Sequence, residues 1–326
     1  EDDWQQCSPL EPEPALPLSA QQLGDPASLN AAIAALHGEG LLHLRDLLRA
    51  PSLTALAAEV DASMASGSTA VAAAEHSHFA EVLTPSSGRR HDLKLEPSPV
   101  VRAALREALA SLRPLLSALV GPDALLWELA ALSSDPGAAR QEVHPDTGWR
   151  HMHDDADALV VFVALHDVSR AMGPTTVLPR THTQQAHATF NGGGMHGSRR
   201  DFLRAAPHRV PCPRGGDALL VDSRVLHCGG ANRSAGRRTL FYFTFLRRGI
   251  APPLRRSSIQ EQLRNRCRLD EAARWLESAE GLAAVLARAP DGAAPSADRK
   301  RSLKHMSDEE LLGTGTDETG GDCLPQ

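Results

Sequence analysis

The stretch Gln141-Glu-Val-His-Pro-Asp-Thr147 places His144 two residues before Asp146. On an extended strand, side chains two residues apart point to the same face of a sheet. One imidazole and one carboxylate aimed at a common point supply two ligands of the 2-His-1-carboxylate triad, which binds non-haem Fe(II) and leaves metal positions open. The stretch therefore predicts part of a metal site built on β-structure.

The third ligand of such a triad is expected on a distant strand, and His227 ends the apolar run 218–227, whose alternate residues would share one face. Either Arg238 or its neighbour Arg237 then follows, and a guanidinium inside a barrel forms a bidentate salt bridge with a carboxylate such as the distal one of 2-oxoglutarate. A slip of one residue in register would exchange the two arginines. The sequence thus predicts a metal site with an anion site nearby.

The rest of the chain predicts how these residues are held. Helical patterns dominate the first third, whereas short apolar segments separated by turn residues follow Leu125. This order predicts an α+β chain with a mainly β core, a double-stranded β-helix (jelly-roll, cupin-like) barrel braced by N-terminal and C-terminal helices. The helix candidates are 25–38, 51–64, 98–120 and 258–290, and the strand candidates are 41–44, 125–132, 159–165, 175–178, 218–227 and 238–246.

Composition divides the chain into three parts. Residues 1–24 are acidic and proline-rich and are expected to be irregular, and the polar tail 291–326 is expected to be disordered. Residues 25–290 are predicted to form a single domain, with the barrel core at about 125–250 and the C-terminal helices at about 258–290. Residues 65–90, rich in small residues, are predicted to form a long loop that could lie over a site.

Bulk properties limit the classes of partner. The 326 residues are 42% hydrophobic and carry a formal net charge of -6, which argues against nucleic-acid binding. Apolar runs fall far short of the ~20 residues of a membrane span. The five cysteines show no CxxC spacing, so a soluble protein of a reducing intracellular compartment is expected, most simply the cytoplasm. The chain begins at Glu1 rather than Met, so a removed targeting segment is expected to leave no trace here, and the oligomeric state stays open.

A second His-x-Asp triplet, His153 to Asp155, competes with the first, and His151 lies beside it. It lacks the flanking Gln and Thr, so we expect a substrate-contacting, gating or surface loop there. Of the other histidines, His166 and His182 are expected to make structural hydrogen bonds, and His187, His196 and His208 to lie at the surface.

Together these motifs resemble the phytanoyl-CoA dioxygenase-like family of Fe(II)/2-oxoglutarate-dependent oxygenases. The resemblance covers about 110 residues in the family's order. It runs through Asp135-Pro-Gly137, 141–147, 161–165, 172–179 with Thr181-His182, 216–227, 229–232, Ser234, the arginine pair and 241–245.

The resemblance implies Fe(II) bound by His144, Asp146 and His227. It also implies 2-oxoglutarate that chelates this iron and forms a salt bridge with Arg238, which lies eleven residues after His227, with Arg237 as the alternative.

Further pocket residues follow from the same resemblance. Phe162 stands where the family often has an aromatic residue lining the cosubstrate pocket, and Gln141 and Thr176 are candidate polar pocket groups. The sequence departs from the family at Arg180, where a Gly more often follows the proline. Arg180 is therefore expected to avoid a positive φ.

A carboxylate at Asp146 points to hydroxylation, because related halogenases have a small residue there that frees a position for chloride. We therefore predict an Fe(II)- and 2-oxoglutarate-dependent dioxygenase that uses O2 to hydroxylate a small organic substrate, an acyl-CoA or another metabolite, with release of succinate and CO2. Two alternatives stay open: a catalytically silent barrel that binds a metabolite or a protein partner, and a redox-inert cupin-like metal protein.

Overall fold

The computed structural model describes residues 4–6, 8–12, 17–72, 79, 89–148, 156–192, 198–250 and 257–291. Residues 1–288 form one compact unit, and 289–326 form a second unit of which only 289–291 are described. The boundaries expected from composition, at 24/25 and 290/291, stay predictions. No helix within the described ranges is long and apolar enough to cross a membrane.

Helices and strands alternate first and give way to a run of strands. The α-helices are α1 Pro26–Glu39, α2 Ala50–Ala72, α3 Pro99–Val120, α4 Gln184–Phe190, α5 Arg199–Ala205, α6 Ala272–Glu277 and α7 Ala279–Leu286. The strands are β1 Leu18–Ser19, β2 Leu41–Arg45, β3 Arg90–Lys94, β4 Leu125–Ser134, β5 Ala158–Ala164, β6 Thr175–Val177, β7 Ala218–Asp222, β8 His227–Gly229 and β9 Arg238–Leu246.

Two sheets make the core. The large sheet has the strand order β1-β2-β7-β5-β9-β4-β3, and the small sheet pairs β6 with β8. Single bridges widen the small sheet, from His144 to His227 on one side and from Val177 to Arg209 on the other. Phe162 and Tyr242 of the large sheet share an apolar cluster with Val177, so the two sheets face each other.

The predicted double-stranded β-helix is confirmed in this arrangement of two facing sheets. No strand pairing joins the large sheet to the small one within the described residues, so the core is not a closed barrel. Helix α3 braces the outer side of the large sheet: its inward residues belong to the same core cluster as Leu129 and Phe243. Ser98 caps this helix by accepting a hydrogen bond from the Val101 amide at 3.1 Å, with Pro99 at the first helical position.

The prediction of one continuous strand over 218–227 was wrong. Strand β7 ends at Asp222, where the Val225 amide donates to the Asp222 carbonyl at 2.9 Å and closes a turn. Within this turn the Arg224 guanidinium donates to the Asp222 carboxylate at 2.7 Å, and both side chains are buried. Strand β8 then enters the opposite sheet, so His227 does not continue the face formed by the residues of β7.

Other helix and strand boundaries differ from the predicted ones, because tertiary packing rather than local sequence determined where these elements begin and end. Helix α2 continues to Ala72, and strand β3 begins at Arg90, so the predicted loop 65–90 is shorter at both ends. The predicted C-terminal helical region contains two short helices, α6 and α7, after a 3-10 turn at Glu261–Leu263. Helices α4 and α5 were not predicted.

Candidate metal and cosubstrate site

The small sheet brings the first and third predicted ligands together. The His144 amide donates to the His227 carbonyl at 3.0 Å, and the His227 amide donates back to the His144 carbonyl at 2.9 Å. Residues that exchange both hydrogen bonds lie directly opposite each other, with their side chains on one face. The two imidazole centroids are accordingly 4.8 Å apart.

Each imidazole is held by a backbone carbonyl two residues earlier. His144 Nδ1 lies 2.7 Å from the Glu142 carbonyl, and His227 Nδ1 lies 2.9 Å from the Val225 carbonyl. A carbonyl oxygen can only accept, so both rings carry hydrogen on Nδ1, and each neutral ring keeps its lone pair on Nε2. An outer hydrogen bond of this kind is typical of metal-binding histidines.

Asp146 completes the group from the stretch between β4 and β5, where its backbone is held against the turn that follows β7. The amides of Asp146 and Thr147 donate to the Ser223 carbonyl at 2.8 and 2.9 Å, and the Thr147 and Ser223 hydroxyls lie 2.7 Å apart. The turn that divides the predicted strand 218–227 therefore fixes the backbone of the carboxylate residue. One Asp146 oxygen lies 3.7 Å from His227 Nε2, and the candidate ligand atoms of His144, Asp146 and His227 all lie within 4.8 Å of one another.

The two candidate arginines point in opposite directions from the start of β9. The Arg238 side chain is fully buried and lines a small apolar pocket with Phe162 and Leu219. The Arg237 side chain is 39% exposed and forms an ion pair with Asp135 at 2.5 Å. Only Arg238 therefore lies between the sheets, as the predicted carboxylate-binding residue must.

Among the described residues, Arg238 is buried without a carboxylate in contact with it. Its guanidinium donates to the Gly173 carbonyl and, at 3.2 Å, to the Ser134 hydroxyl. Burial lowers the pKa of Arg238 to about 9, with a smaller contribution from the charge of Arg90. Burying a cation without an anion is costly, so the site is suited to an anionic ligand.

Sequence reasoning missed Arg90 and Ser134. Strand register places Ser134 opposite Arg238 on one side and opposite Arg90 on the other, so the three side chains form one row across β9, β4 and β3. All three are buried. The available signal was the serine pair that ends the mostly apolar β4, but β3 itself was not predicted, so the pairing with Arg90 was out of reach.

Phe162 lines the pocket together with Arg238 and also lies near the candidate metal ligand His227. Its ring centroid is 6.4 Å from that of His227 and 5.7 Å from that of Tyr242. The Tyr242 hydroxyl donates to Asp92 at 2.8 Å, and the second Asp92 oxygen accepts from Ser258 at 2.5 Å. Phe162 therefore has two aromatic neighbours, His227 and Tyr242, and the hydroxyl of Tyr242 leads to the polar group of Asp92. Tyr242 and Asp92 were not predicted as site residues.

Gln141 and Thr176, the predicted polar pocket groups, form their side-chain hydrogen bonds with β8 and with an N-terminal residue. The Gln141 side-chain oxygen accepts from the Gly229 amide at 2.9 Å and so fastens β8. Thr176 lies opposite Cys228, whereas the inward-facing pair is Val177 and His227, so the alternation of strand side chains turns Thr176 outward. Its hydroxyl accepts from Gln5 at 2.6 Å.

Arg180 does adopt a positive φ, at 64°, so the expectation that it avoids one was wrong. Its amide donates to the Glu39 carbonyl at 2.9 Å, and its guanidinium pairs with Glu39 at 2.7 Å and with Glu11. Arg209 joins the same two carboxylates at 2.7 and 2.9 Å. This four-residue ion-pair network holds a conformation that favours glycine.

The remaining histidines divide between structural and undescribed positions. His166 accepts from the Thr239 amide at 3.0 Å and His182 donates to the His37 carbonyl at 2.9 Å, as expected of structural residues. His187 and His208 are buried rather than exposed, because α4, α5 and the N-terminal turn cover the outer face of the small sheet. Outside the described ranges lie His151, His153, Asp155 and His196.

Comparison with known proteins shows which family the chain belongs to. Residues 36–240, more than half of the chain, match the family model described as phytanoyl-CoA dioxygenase (PhyH). The chain belongs to this family. The match includes all three candidate metal ligands, Arg90, Ser134 and Arg238.

Individual relatives are distant. Dioxygenase FUM3 of Gibberella moniliformis (strain M3125 / FGSC 7600) is 28% identical over 140 residues, which are 41% of this chain and 42% of that protein. The chain thus matches about two fifths of the length of this curated relative.

Solved structures share the fold. The non-heme alpha ketoglutarate dependent epimerase SnoN from nogalamycin biosynthesis has a TM-score of 0.51 and 19% identity, covering 71% of this chain and 94% of that one. The carbocyclase SnoK from the same biosynthesis has a TM-score of 0.51 and 18% identity, with coverage of 71% and 87%. AviO1 from Streptomyces viridochromogenes Tue57 has a TM-score of 0.50 and 17% identity, with coverage of 69% and 97%.

Proposed function

We propose that this chain is an Fe(II)- and 2-oxoglutarate-dependent dioxygenase that hydroxylates a small organic substrate, with release of succinate and CO2. The observation that carries the proposal is the convergence of His144, Asp146 and His227, whose candidate ligand atoms lie within 4.8 Å of one another. Membership of the phytanoyl-CoA dioxygenase family supports the same activity.

The donor set fits Fe(II). Two imidazole nitrogens and one carboxylate oxygen form the facial set of non-haem Fe(II) oxygenases, which leaves positions for a cosubstrate and O2. The histidines present Nε2 because the carbonyls of Glu142 and Val225 hold Nδ1. When bound, Fe(II) supplies the redox chemistry by which O2 oxidises 2-oxoglutarate and a carbon–hydrogen bond of the substrate.

The chain's own residues bind, orient and exclude water. Arg238 holds the distal carboxylate of 2-oxoglutarate, since it is a fully buried cation that lines the interior pocket and has no carboxylate partner in the described structure. Phe162 lines the pocket beside this arginine, lies near His227, and excludes water from the space next to both. The buried polar groups around Tyr242 and Asp92 lie on the remaining side, where the substrate is expected.

The test is a calorimetric titration of 2-oxoglutarate into anaerobic, Fe(II)-loaded protein, beside an Asp146→Ala, His227→Ala double variant. We expect saturable binding that requires iron and is lost in the double variant. Absence of binding to the folded wild-type protein would exclude the dioxygenase and favour a catalytically silent double-stranded β-helix protein. Succinate formed from 2-oxoglutarate and O2 then distinguishes the enzyme from a redox-inert metal protein.

A further inference from the structure

Strand β9 presents polar residues to the space between the two sheets. Tyr242 lies in the apolar cluster that contains Phe162, so Thr244 and Leu246, two and four residues farther along the strand, face the same space. Thr244 stands opposite Glu128 of β4 and donates to its carboxylate at 2.6 Å. The inner face of the large sheet is thus polar toward the end of β9.

Two further residues extend this polar surface. A bulge in β4 precedes Glu128 and lets Trp127 join the same side, where it forms an apolar cluster with Leu246. Across β4, the Tyr242 phenol donates to Asp92 of β3 at 2.8 Å. We call the following residues the polar wall: Asp92, Trp127, Glu128, Tyr242 and Thr244.

The polar wall lies at the metal end of the interior. The Ser223 amide donates to the Ala158 carbonyl at 3.0 Å, and the Asp146 amide donates to the Ser223 carbonyl at 2.8 Å. Ala158 stands opposite Leu246, and both share a cluster with Trp127. Two backbone hydrogen bonds therefore connect a candidate metal ligand to the end of the sheet that carries the wall.

Open space borders the polar wall. On the outer face of β9, the side chains of Phe241, Phe243 and Phe245 are completely buried. Four residues of the wall instead keep 6–8% of their surface accessible: Asp92, Trp127, Glu128 and Tyr242. Because these side chains point between the sheets, their accessible area borders room beside the metal site. A substrate that reacts at the metal occupies this room.

We infer that the polar wall binds the primary substrate through hydrogen-bond donors, so that the substrate carries amino or hydroxyl groups and is not an acyl chain. This inference rests on the proposed function. A carboxylate accepts up to about four hydrogen bonds, so Asp92 and Glu128 can each hold a hydroxyl of the wall and a donor of the ligand at once. The indole of Trp127 offers an apolar face to a ring or to an ammonium group.

An acyl chain would meet unfavourable surroundings at the polar wall. Burial raises the pKa of Tyr242, and the carboxylates of Asp92 and Glu128 raise it further, so both carboxylates lie near one hydroxyl. Lys94, which is half-buried, shares the face of Asp92 on β3 and adds a charged group to the same surface. An apolar chain displaces water from such groups without replacing its hydrogen bonds, which costs free energy.

The experiment measures which ligands bind beside the metal. The full chain is loaded with Mn(II), whose unpaired electrons accelerate the proton relaxation of a ligand held nearby, and Zn(II)-loaded protein is the diamagnetic control. The probes are cyclohexylamine, myo-inositol, cyclohexanecarboxylate and the acyl protons of octanoyl-coenzyme A. Calorimetry on the same samples measures binding of the metal and of 2-oxoglutarate.

We expect Mn(II) to relax cyclohexylamine, myo-inositol or both, and neither of the other probes. The amine alone would identify recognition of an ammonium group, and myo-inositol alone recognition of hydroxyls. Relaxation of the acyl protons, or of neither donor probe, would overturn the inference. Relaxation of cyclohexanecarboxylate would also overturn it and assign recognition to Lys94. Samples that bind neither the metal nor 2-oxoglutarate would instead refute the proposed function.

Substitutions test which residues recognise the probe. Asp92→Asn and Glu128→Gln should each weaken its binding about tenfold or more, as for a lost hydrogen bond to a charged group, and leave 2-oxoglutarate binding unchanged. Glu128→Asp keeps the charge and should recover part of the affinity. Glu107→Gln is the matched control, because Glu107 lies on α3 and accepts from Arg49 at 2.9 Å. Unchanged probe affinity in both wall variants, with the denaturant midpoint showing an intact fold, would contradict the inference.

Discussion

His144 and His227 lie directly opposite each other on the small sheet and exchange both of their backbone hydrogen bonds, at 3.0 and 2.9 Å. Their side chains therefore converge because of backbone pairing, and not because the imidazoles hold each other. Truncating either imidazole should leave the pairing intact. The metal site can thus be removed without removing the strand that carries it.

We expect Asp146→Asn and His227→Ala to abolish stabilisation by metal. A ligand that binds only the folded state raises its stability by an amount set by concentration and affinity. Anaerobic Fe(II) should raise the unfolding temperature of the wild type and leave that of either variant unchanged. His166→Ala is the control, because His166 lies outside the ligand group and accepts from the Thr239 amide. Equal stabilisation of the wild type and the ligand variants would refute the assignment.

Arg238→Lys should abolish or greatly weaken 2-oxoglutarate binding, and Arg237→Lys should change it little. The first residue is fully buried, whereas the second is an exposed partner of Asp135. A lost charge-assisted hydrogen bond of about 1.5–3 kcal/mol corresponds to a weakening of about tenfold or more for Arg238→Lys. Calorimetry on both variants checks this, and a larger effect of Arg237→Lys would show that the register assignment is wrong.

The affinity for 2-oxoglutarate should fall at high pH. Burial lowers the pKa of Arg238 in the unliganded protein to about 9. A bound carboxylate favours the charged guanidinium and raises that pKa, so binding above about pH 9 must take up a proton. Titrations at increasing pH should show constant affinity below that value and declining affinity above it. The same decline for 2-oxopentanoate, which lacks the distal carboxylate, would assign the effect to another group.

Arg180→Ala should destabilise the protein more than Arg180→Gly. Both variants lose the ion pairs with Glu11 and Glu39, but only glycine also relieves the positive φ of 64°. A non-glycine residue in the left-handed region costs about 1 kcal/mol, which is the expected difference in the free energy of unfolding. Denaturant titration measures it, and equal values for the two variants would show that the backbone at Arg180 relaxes on substitution.

Tyr242, the single tyrosine of the chain, should resist ionisation in the folded protein. Burial raises the pKa of its phenol well above the usual value, and the carboxylates of Asp92 and Glu128 raise it further. Since the unfolded chain ionises near pH ~10, this group's contribution to stability is complete below that pH and is lost as pH rises beyond it. Tyrosinate absorbance should therefore appear only together with unfolding. Ionisation of the intact fold at the ordinary pKa would contradict the burial of this side chain.

Local sequence predicted the class of fold and much of the candidate site. The spacing of His144 and Asp146, a histidine ending an apolar run and an arginine pair before the last strand do not depend on the exact register of the sheet. The composition of β5 and β9 likewise indicated strands before any partner was known. These features indicated an iron-dependent oxygenase of a known family, to which the chain belongs.

Pairing between distant strands decided the rest. Which arginine turns inward, why Thr176 turns outward and how Arg90 meets Ser134 all depend on register, because a shift of one residue moves every side chain of a strand to the opposite face. The turn between Asp222 and Val225 carries His227 to the opposite sheet. It is needed because the chain passes there from one of two facing sheets to the other. Sequence thus specified the types of chemical group present, and long-range backbone pairing specified which of them share one interior.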